Sequence, residues 1–206
     1  MKTICLLTGV LISIFQSIVL GQTLHEYSEI KPERSNLVIK IDSFTVSEAF
    51  KLSNSSILIF GRSTNLFQSS IGIIQYDILK NVMIYKDFCK GEEDFMRPHF
   101  FKSNSKNDPV LLLCNVGADY SWGVLIYSIK NEKIKKIGYM DVSLKADENE
   151  YDDPVPYAKI TRCGRTSTIS FSREVATNWQ NDHMKFYDPG KITNLIKTNH
   201  IDINYR

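Results

Sequence analysis

Short apolar segments alternate with polar turns along most of the chain, and the pattern is clearest from Val110 to Val142. This stretch contains three runs rich in Val, Ile and Leu, separated by turns that carry Asn, Asp, Gly or Lys. Short runs of this kind, bounded by turn residues, are typical of β-strands. Because the connections are too short for parallel crossovers, neighbouring strands are predicted to pair antiparallel. Strong helical periodicity is absent, so the pattern predicts an all-β fold.

Similar strand patterns recur before and after this stretch and divide the chain into about three units of four strands each. The units span about residues 46–90, 96–143 and 155–203. A spacing of 51 residues relates the first two units in the pairs Gly72 and Gly123, and Tyr76 and Tyr127. The second strands, which include Ile57–Phe60 and Val110–Leu113, are apolar almost throughout, as strands buried on both faces are. The other interpretation is that any all-β chain shows strands and turns at this spacing.

A four-stranded unit of about 50 residues resembles a β-propeller blade in length and strand count. Three units are fewer than the four blades of an ordinary propeller. The sequence therefore predicts an antiparallel meander that forms either a partial or small β-propeller-like arrangement or a β-sandwich.

The N-terminal residues 1–21 have the features of a signal peptide: a basic start, an apolar segment and short residues before Gln22. The apolar segment is short for a membrane span. We therefore expect cleavage before Gln22 and an exported protein, secreted or periplasmic, with no membrane span in the mature chain. A retained N-terminal anchor is the alternative.

The remaining chain is predicted to form one domain. Residues 22–36 are polar and lack periodicity, which indicates a loose lead-in. Residues 37–206 are predicted to be a single all-β domain that begins with a strand at Leu37–Phe44, where β-branched residues are frequent. The formal net charge of +2 is too balanced to predict nucleic acid as a partner.

Three of the four cysteines follow the predicted leader: Cys89, Cys114 and Cys163. An odd number allows at most one intramolecular disulfide. Cys114 lies in an apolar run and is interpreted as a small buried hydrophobic residue. If a disulfide forms, Cys89 and Cys114 are the pair to test.

Candidate chemistry is sparse. The chain lacks a nucleophile elbow, a zincin motif, a P-loop and a dinucleotide-binding fingerprint. The acidic run 147–154 is interpreted as a solvated loop, with calcium binding as the sharper alternative. The sequence thus predicts no cofactor and no metal, and it favours a non-enzymatic protein while leaving catalysis open.

The aromatic residues suggest a binding function. In each unit, the predicted loop between the second and third strands carries a large aromatic residue. These loops are 61–70, with Phe67, 115–122, with Trp122, and 173–182, with Trp179, and they contain both tryptophans of the chain. Aromatic rings beside amides and carboxylates suit a partner that needs both apolar contact and orientation. The predicted ligand-binding residues are Phe67, Asn115, Asp119, Tyr120, Trp122, Asn178, Trp179 and Asp182.

We therefore expect a secreted, non-enzymatic protein that binds a protein or peptide partner through these loops. The alternative is a carbohydrate-binding or glycan-cleaving exported protein. A further alternative for the tryptophans is purely structural, because a tryptophan just ahead of a strand often packs over the core of a sheet.

Overall fold

The computed structural model describes residues 23–37, 39–64, 70–89, 93–145, 151–164, 166–173, 175–176 and 200–204. Fifteen strands and one short 3-10 helix account for most of these residues. The strands are β1 (Leu24–Ile30), β2 (Phe44–Lys51), β3 (Ser56–Ser63), β4 (Ser70–Asp77), β5 (Val82–Phe88), β6 (Phe95–Ser103), β7 (Val110–Gly117), β8 (Ser121–Lys130), β9 (Lys133–Met140), β10 (Ser143–Lys145), β11 (Tyr151–Asp152), β12 (Ala158–Cys163), β13 (Thr166–Phe171), β14 (Val175–Ala176) and β15 (His200–Asn204), and the 3-10 helix is Val155–Tyr157. The predicted all-β class is confirmed.

Strands of the first two units pair in chain order. The first unit is a separate four-stranded sheet with the order β2-β3-β4-β5. The second unit, β6-β7-β8-β9, is one end of an eight-stranded sheet with the order β15-β13-β12-β1-β6-β7-β8-β9. A small three-stranded sheet, β11-β10-β14, contacts the second unit at β8. All pairs between the described strands are antiparallel, which confirms the predicted meander.

The four-stranded sheet packs face to face on the second unit. Their shared core includes Phe60 and Ile73 from the first unit and Leu112 and Tyr127 from the second, each at most 1% exposed. Burial of such a side chain stabilises the fold by about 1.5–3 kcal/mol relative to its exposed state. A polar bond crosses the same interface, because the Tyr127 hydroxyl donates to Asp87 Oδ2 at 2.8 Å. The layers are therefore held by both apolar burial and a directed hydrogen bond.

A buried amide connects the two sheets at one end of this core. Gln75 of β4 is 2% exposed. Its Nε2 donates to Ser56 Oγ at 2.8 Å and to the carbonyl oxygen of Glu132, and its Oε1 accepts from the Ile134 N–H at 3.2 Å. Because both ends of the amide are bonded, its burial does not carry the penalty of an unpaired polar group.

The second strands of both units are buried on both faces, as their continuous apolar runs predict. In β7, Leu112 and Cys114 face the first unit, whereas Leu111 and Leu113 face a second core that also contains residues of β12 and β13. In β3 the same alternation sends Leu58 and Phe60 into the shared core and Ile57 and Ile59 into a third core. Three cores in succession therefore separate the layers of the molecule.

The segment predicted to be a loose lead-in, residues 22–36, contains strand β1, and for residues 24–30 the prediction was wrong. This strand lies between β6 and β12, and it joins the second and third units into one sheet. Only Tyr27 of its seven residues is buried. The sequence of β1 shows little hydrophobic pattern, because backbone pairing on both edges and polar side chains hold this strand in place.

The strand predicted at Leu37–Phe44 does not form in the described residues, where β2 begins only at Phe44. Ser43 instead adopts a left-handed turn with φ of 58°. Ile39 and Ile41 pack onto the outer core of the four-stranded sheet. Their apolar side chains are thus partly buried although neither residue belongs to a strand, a distinction that residue type alone does not reveal.

The third unit is only partly visible. Its first two predicted strands correspond to β12 and β13, and β13 also pairs with β15. The last two strands predicted for this unit fall within residues 177–199, which lie outside the described residues. The small sheet formed by residues 143–145, 151–152 and 175–176 was not predicted.

Cys89, Cys114 and Cys163 are free thiols, so the Cys89–Cys114 disulfide is not formed. Cys114 is fully buried, as predicted, and burial raises the pKa of its thiol well above the ordinary value. Cys89 is also buried, whereas Cys163 is exposed.

Candidate functional site

The predicted loop 115–122 is a tight turn of three residues, 118–120, because β7 continues to Gly117 and β8 begins at Ser121. The register between β7 and β8 explains the difference from the prediction. The strands pair Val116 with Gly123 and then Gly117 with Ser121, which leaves Trp122 as an extra residue on β8. Such a bulge bends the strand and redirects a side chain. Trp122 is therefore a bulged strand residue and not a loop residue.

The bulge places Trp122 beside Tyr120 at the surface. Tyr120 is 48% exposed and Trp122 is half-buried. Their ring centroids are 6.4 Å apart and the ring planes meet at 66°, an edge-to-face geometry that aromatic pairs favour. Asp119, the neighbouring turn residue, is also exposed. The turn and the adjoining bulge thus present the Tyr120 and Trp122 rings together with the Asp119 carboxylate.

The backbone beneath Trp122 is anchored to the next strand. The Tyr139 hydroxyl of β9 donates to the Trp122 carbonyl oxygen at 2.9 Å. Burial raises the pKa of Tyr139, so the hydroxyl keeps its proton and remains a donor. The tyrosine ring reaches this position because it lies over Gly123, where any Cβ would collide with it. The aromatic pair is therefore mounted on a fixed backbone.

A cation and a third aromatic ring lie on β6, which pairs with β7 on the side opposite to β8. The Arg97 guanidinium carbon is 4.3 Å from the centroid of the Phe95 ring, within range of a cation–π interaction. Strand register sets Phe95 opposite Gly117 and Arg97 opposite Asn115. We call the group Phe95, Arg97, Asp119, Tyr120 and Trp122 the turn surface.

Asn115 does not belong to the surface. It lies in β7, is fully buried, and accepts a hydrogen bond from the Ser121 hydroxyl at 2.6 Å. Its Nδ2 is buried and has no hydrogen-bond partner among the described residues. Asn115 therefore supports the start of β8 from below, and its contact with a ligand stays a prediction.

Four predicted site residues lie outside the described residues: Phe67, Asn178, Trp179 and Asp182. Of the predicted loop 61–70, residues 61–63 belong to β3 and residue 70 begins β4. Of the predicted loop 173–182, residues 175–176 form β14. The structure therefore brings together Asp119, Tyr120 and Trp122, with Asn115 beneath them, and leaves the joint action of the three loops a prediction.

The sequence pattern did not predict two clusters of polar side chains, and each cluster includes a residue of β1. In the first, Asp108 Oδ2 accepts from the Ser103 hydroxyl at 2.7 Å and lies 2.7 Å from His25 Nδ1, while Arg162 Nε is 3.6 Å from Oδ1. Burial alone would raise the pKa of Asp108, but these hydrogen bonds and the positive charge of Arg162 outweigh it and lower the pKa. Because Ser103 bonds the carboxylate and not the histidine, the group lacks the serine–histidine contact of a nucleophile–base pair.

In the second cluster, His99 bridges two carboxylates. Its Nδ1 is 2.8 Å from Glu29 Oε1 and its Nε2 is 2.9 Å from Asp153 Oδ2. Burial alone would lower the pKa of His99, but the hydrogen bonds and charges of Asp153 and Glu29 outweigh burial and raise the pKa. The cluster ties β1 and β6 to the segment that follows β11.

One sequence signal could have located both clusters. His25, Tyr27 and Glu29 alternate along β1, so in a strand they share one face. In the part of the chain that the structure describes, no group of three or more His, Cys, Asp or Glu side chains is arranged to hold a metal ion. Among the same residues, no helix has the length and apolar character that crossing a bilayer requires.

Comparisons with protein-family models, with curated proteins and with solved structures gave no match to this chain.

Proposed function

We propose that this protein is an exported, non-enzymatic binding protein whose turn surface holds a protein or peptide partner. The observation that carries the proposal is the pair Tyr120 and Trp122, partly exposed and in edge contact on an anchored bulge. Large aromatic side chains on a fixed backbone lose little conformational entropy on binding, so more of their burial appears as affinity.

The composition of the turn surface supports a protein or peptide over a sugar. Tyrosine, tryptophan and arginine dominate the energetic centres of protein interfaces. Tyr120 in the turn, Trp122 on β8 and Arg97 on β6 supply all three, with only β7 between the two strands. The two rings also meet at 66°, which forms a bent apolar surface and not one flat platform on which a sugar ring would stack.

Phage-displayed peptide selection against the purified mature chain, followed by fluorescence titration of the selected peptides, tests the proposal. Trp122→Ala is expected to weaken peptide binding by about tenfold or more, which corresponds to about 1.4 kcal/mol. The same change should alter the free energy of unfolding by roughly 1 kcal/mol or less, because the residue is only half-buried. Leu37→Ala is the matched control, since Leu37 is 50% exposed and lies outside the turn surface.

Two results would contradict the proposal. If Trp122→Ala lowers the free energy of unfolding by the ~3–5 kcal/mol of a core aromatic, Trp122 is structural. If a panel of oligosaccharides quenches the tryptophan fluorescence while no peptide binds, the ligand is a glycan. A Trp122→Phe variant assigns the quenching, because the chain contains two tryptophans.

Export is the second part of the proposal, and it rests on the leader-like composition of residues 1–21. Expression of the full chain in a secreting host should yield a product that begins at Gln22. Intact mass and N-terminal sequencing of the medium or periplasm measure this, and an unprocessed chain in the membrane fraction would favour a retained anchor.

A further inference from the structure

The chain contains one acceptor sequence for a covalent modification, and it lies apart from the turn surface. Asn54-Ser55-Ser56 fits the N-glycosylation acceptor, an asparagine with serine or threonine two positions later and no proline between them. No other asparagine of the chain is followed in this way. The acceptor lies in the hairpin turn between β2 and β3, where Asn54 is exposed. The sequence thus offers one position for a glycan, and the fold leaves it at the surface.

Backbone conformation does not explain the asparagine at position 54. Asparagine is frequent in turns partly because it tolerates a left-handed backbone. Asn81 and Asn131 serve this purpose in the β4–β5 and β8–β9 turns, with φ of 57° and 50°. Among the described residues other than glycine, positive φ is otherwise confined to Ser43 and Glu132. Asn54 therefore differs from the other two turn asparagines, because its backbone gives no reason for its residue type.

The hydrogen bonds that hold the β2–β3 turn leave the Asn54 side chain out. Ser53 Oγ donates to Glu132 Oε2 at 2.9 Å and accepts from the Ser55 N–H at 3.2 Å. The Ser53 N–H donates to the Ser56 carbonyl oxygen at 3.1 Å. None of these bonds involves Asn54, so a bulky group on its side chain would disturb none of them.

Ser56, the hydroxyl residue of the acceptor, is hidden in the folded protein. It begins β3 and is 4% exposed. Its Oγ accepts from Gln75 Nε2 at 2.8 Å. The same glutamine also bonds to the second unit, so Ser56 lies beneath the contact between the two sheets. A transferase that recognises this hydroxyl can therefore reach it only before the sheets close.

The acceptor turn lies at the end of the second unit opposite to the turn surface. The bond from Ser53 to Glu132 holds the β2–β3 turn beside the β8–β9 turn. Strand β8, of 10 residues, separates the β8–β9 turn from the turn at 118–120, a distance of roughly 30 Å at the ordinary rise of a strand. A glycan at Asn54 therefore leaves the turn surface open to a partner.

We propose that Asn54 carries an N-linked glycan that is added before the chain folds, a modification that rests on the proposed export. The donor is an oligosaccharide on a lipid diphosphate, supplied with the transferase of the secretory pathway. Asn54 Nδ2 forms a bond to the anomeric carbon of the first sugar, and the bond from that carbon to the diphosphate oxygen breaks. The lipid diphosphate leaves with the electron pair of that bond. The amide gives up one proton to a base of the transferase, and nothing is oxidised or reduced.

Expression of the full chain in a glycosylating eukaryotic host tests the proposal. The secreted protein should have a higher mass than the polypeptide alone, and a peptide N-glycosidase should remove the excess. Because that enzyme leaves aspartate where the glycan was attached, peptide mass spectrometry after digestion should find aspartate at position 54. Asn54→Gln should abolish the excess mass while the protein is still secreted.

Asn104 provides the matched controls, because it is also an exposed turn asparagine followed by serine. In Asn104-Ser105-Lys106 the third residue has no hydroxyl, so Asn104→Gln should leave the excess mass unchanged. Lys106→Ser completes an acceptor at an exposed position and should add a second glycan. This variant shows that the host can modify a turn of this chain.

The order of modification and folding is tested with full chain made in bacteria, a transferase and a lipid-linked donor. Chain diluted from urea into this mixture should be glycosylated at Asn54. Chain that is already folded should react at least about tenfold more slowly, because access to Ser56 then requires local opening of the hairpin. Equal rates would overturn the claim that modification precedes folding.

A secreted chain without a glycan at Asn54, in a host that modifies the Lys106→Ser variant, would overturn the proposal and leave the proposed export intact. A chain that is not secreted would contradict the export instead. In that case residues 22–206 are expressed behind a leader that the host processes, and the glycan at Asn54 is again expected. Its absence from that secreted product would overturn the proposal as well.

Discussion

The first and second units share a sequence spacing but bury opposite faces of equivalent strands. In β4, Ile73 faces the second unit and Ile74 faces outward, whereas in β8 the equivalent Leu125 faces the first unit and Val124 faces away from it. The units therefore stack front to back, as neighbouring propeller blades do, although their sheets lie face to face as in a sandwich. The antiparallel meander and the face-to-face packing of its sheets agree with the sandwich, one of the two arrangements that the sequence predicts.

The tyrosines at the 51-residue spacing show what this stacking does to equivalent residues. Tyr127 is fully buried between the sheets and donates to Asp87 of the first unit. Tyr76 lies on the outermost face, is partly exposed, and donates to Asn81 in its own turn at 2.7 Å. A repeat thus conserves the position of a side chain within its sheet, while the neighbouring layer decides how much that side chain stabilises the fold.

The largest difference between the units is expected when these tyrosines are truncated. Tyr127→Ala should lower the free energy of unfolding by about 3–5 kcal/mol, as for other fully buried aromatic residues. Tyr76→Ala should cost about 1 kcal/mol, because the Tyr76 ring is only partly buried against the outer core of the four-stranded sheet. Urea unfolding followed by circular dichroism measures both. Similar costs for the two variants would contradict the front-to-back stacking.

A smaller effect should be alike in both units. A Cβ at Gly72 would collide with the Phe88 ring, and a Cβ at Gly123 would collide with the Tyr139 ring. Gly72→Ala and Gly123→Ala should each lower the free energy of unfolding by about 1–3 kcal/mol, the range for overpacked sites. Phe88→Leu and Tyr139→Leu should relieve part of the respective cost, so the double variants should be non-additive. Strict additivity in thermal or urea unfolding would show that the rings and glycines do not interact.

The smallest effect concerns the boundary between the second and third units, where His99 bridges Glu29 and Asp153. The folded-state pKa of His99 is raised above the ordinary value of 6.5. The stabilisation from the protonated ring is therefore fully present below about pH 6.5 and is lost as the pH rises through the folded-state pKa. His99→Gln should flatten this decline in the free energy of unfolding, because glutamine does not titrate. An unchanged difference between wild type and variant across this pH range would exclude the charge effect.

The sequence pattern predicted strands well where side chains are buried in alternation or continuously. All eight strands of the first two units were predicted, as was burial of both faces of β3 and β7. It failed for β1, because pairing with β6 and β12 satisfies the backbone of that strand without apolar side chains. It also failed at residues 37–43, where Ile39 and Ile41 are partly buried but belong to no strand. Hydrophobic periodicity indicates which side chains are buried. Strand β1 pairs on both edges with little side-chain burial, whereas Ile39 and Ile41 pack on a core without strand pairing.

The site could be predicted in part. Tyr120 and Trp122 were recognised from residue type, and the structure places their rings together. The bulge at Trp122 was not foreseeable, since it depends on the register between β7 and β8. The Arg97–Phe95 pair was not recognised, although residues two apart on one strand share a face. The His99 and Asp108 clusters depend on β1 and were therefore missed as well.

By itself, the sequence determined the all-β class, the antiparallel order within the first two units and the spacing that relates them, because these depend on local alternation and turn chemistry. Only the tertiary structure decided how the units stack and that a polar segment became the central strand β1. Those outcomes depend on contacts between residues far apart in the chain. The tertiary structure also places Trp122 at a bulge, half in the protein and half in solvent, where residue type alone predicted either a binding residue or a core residue.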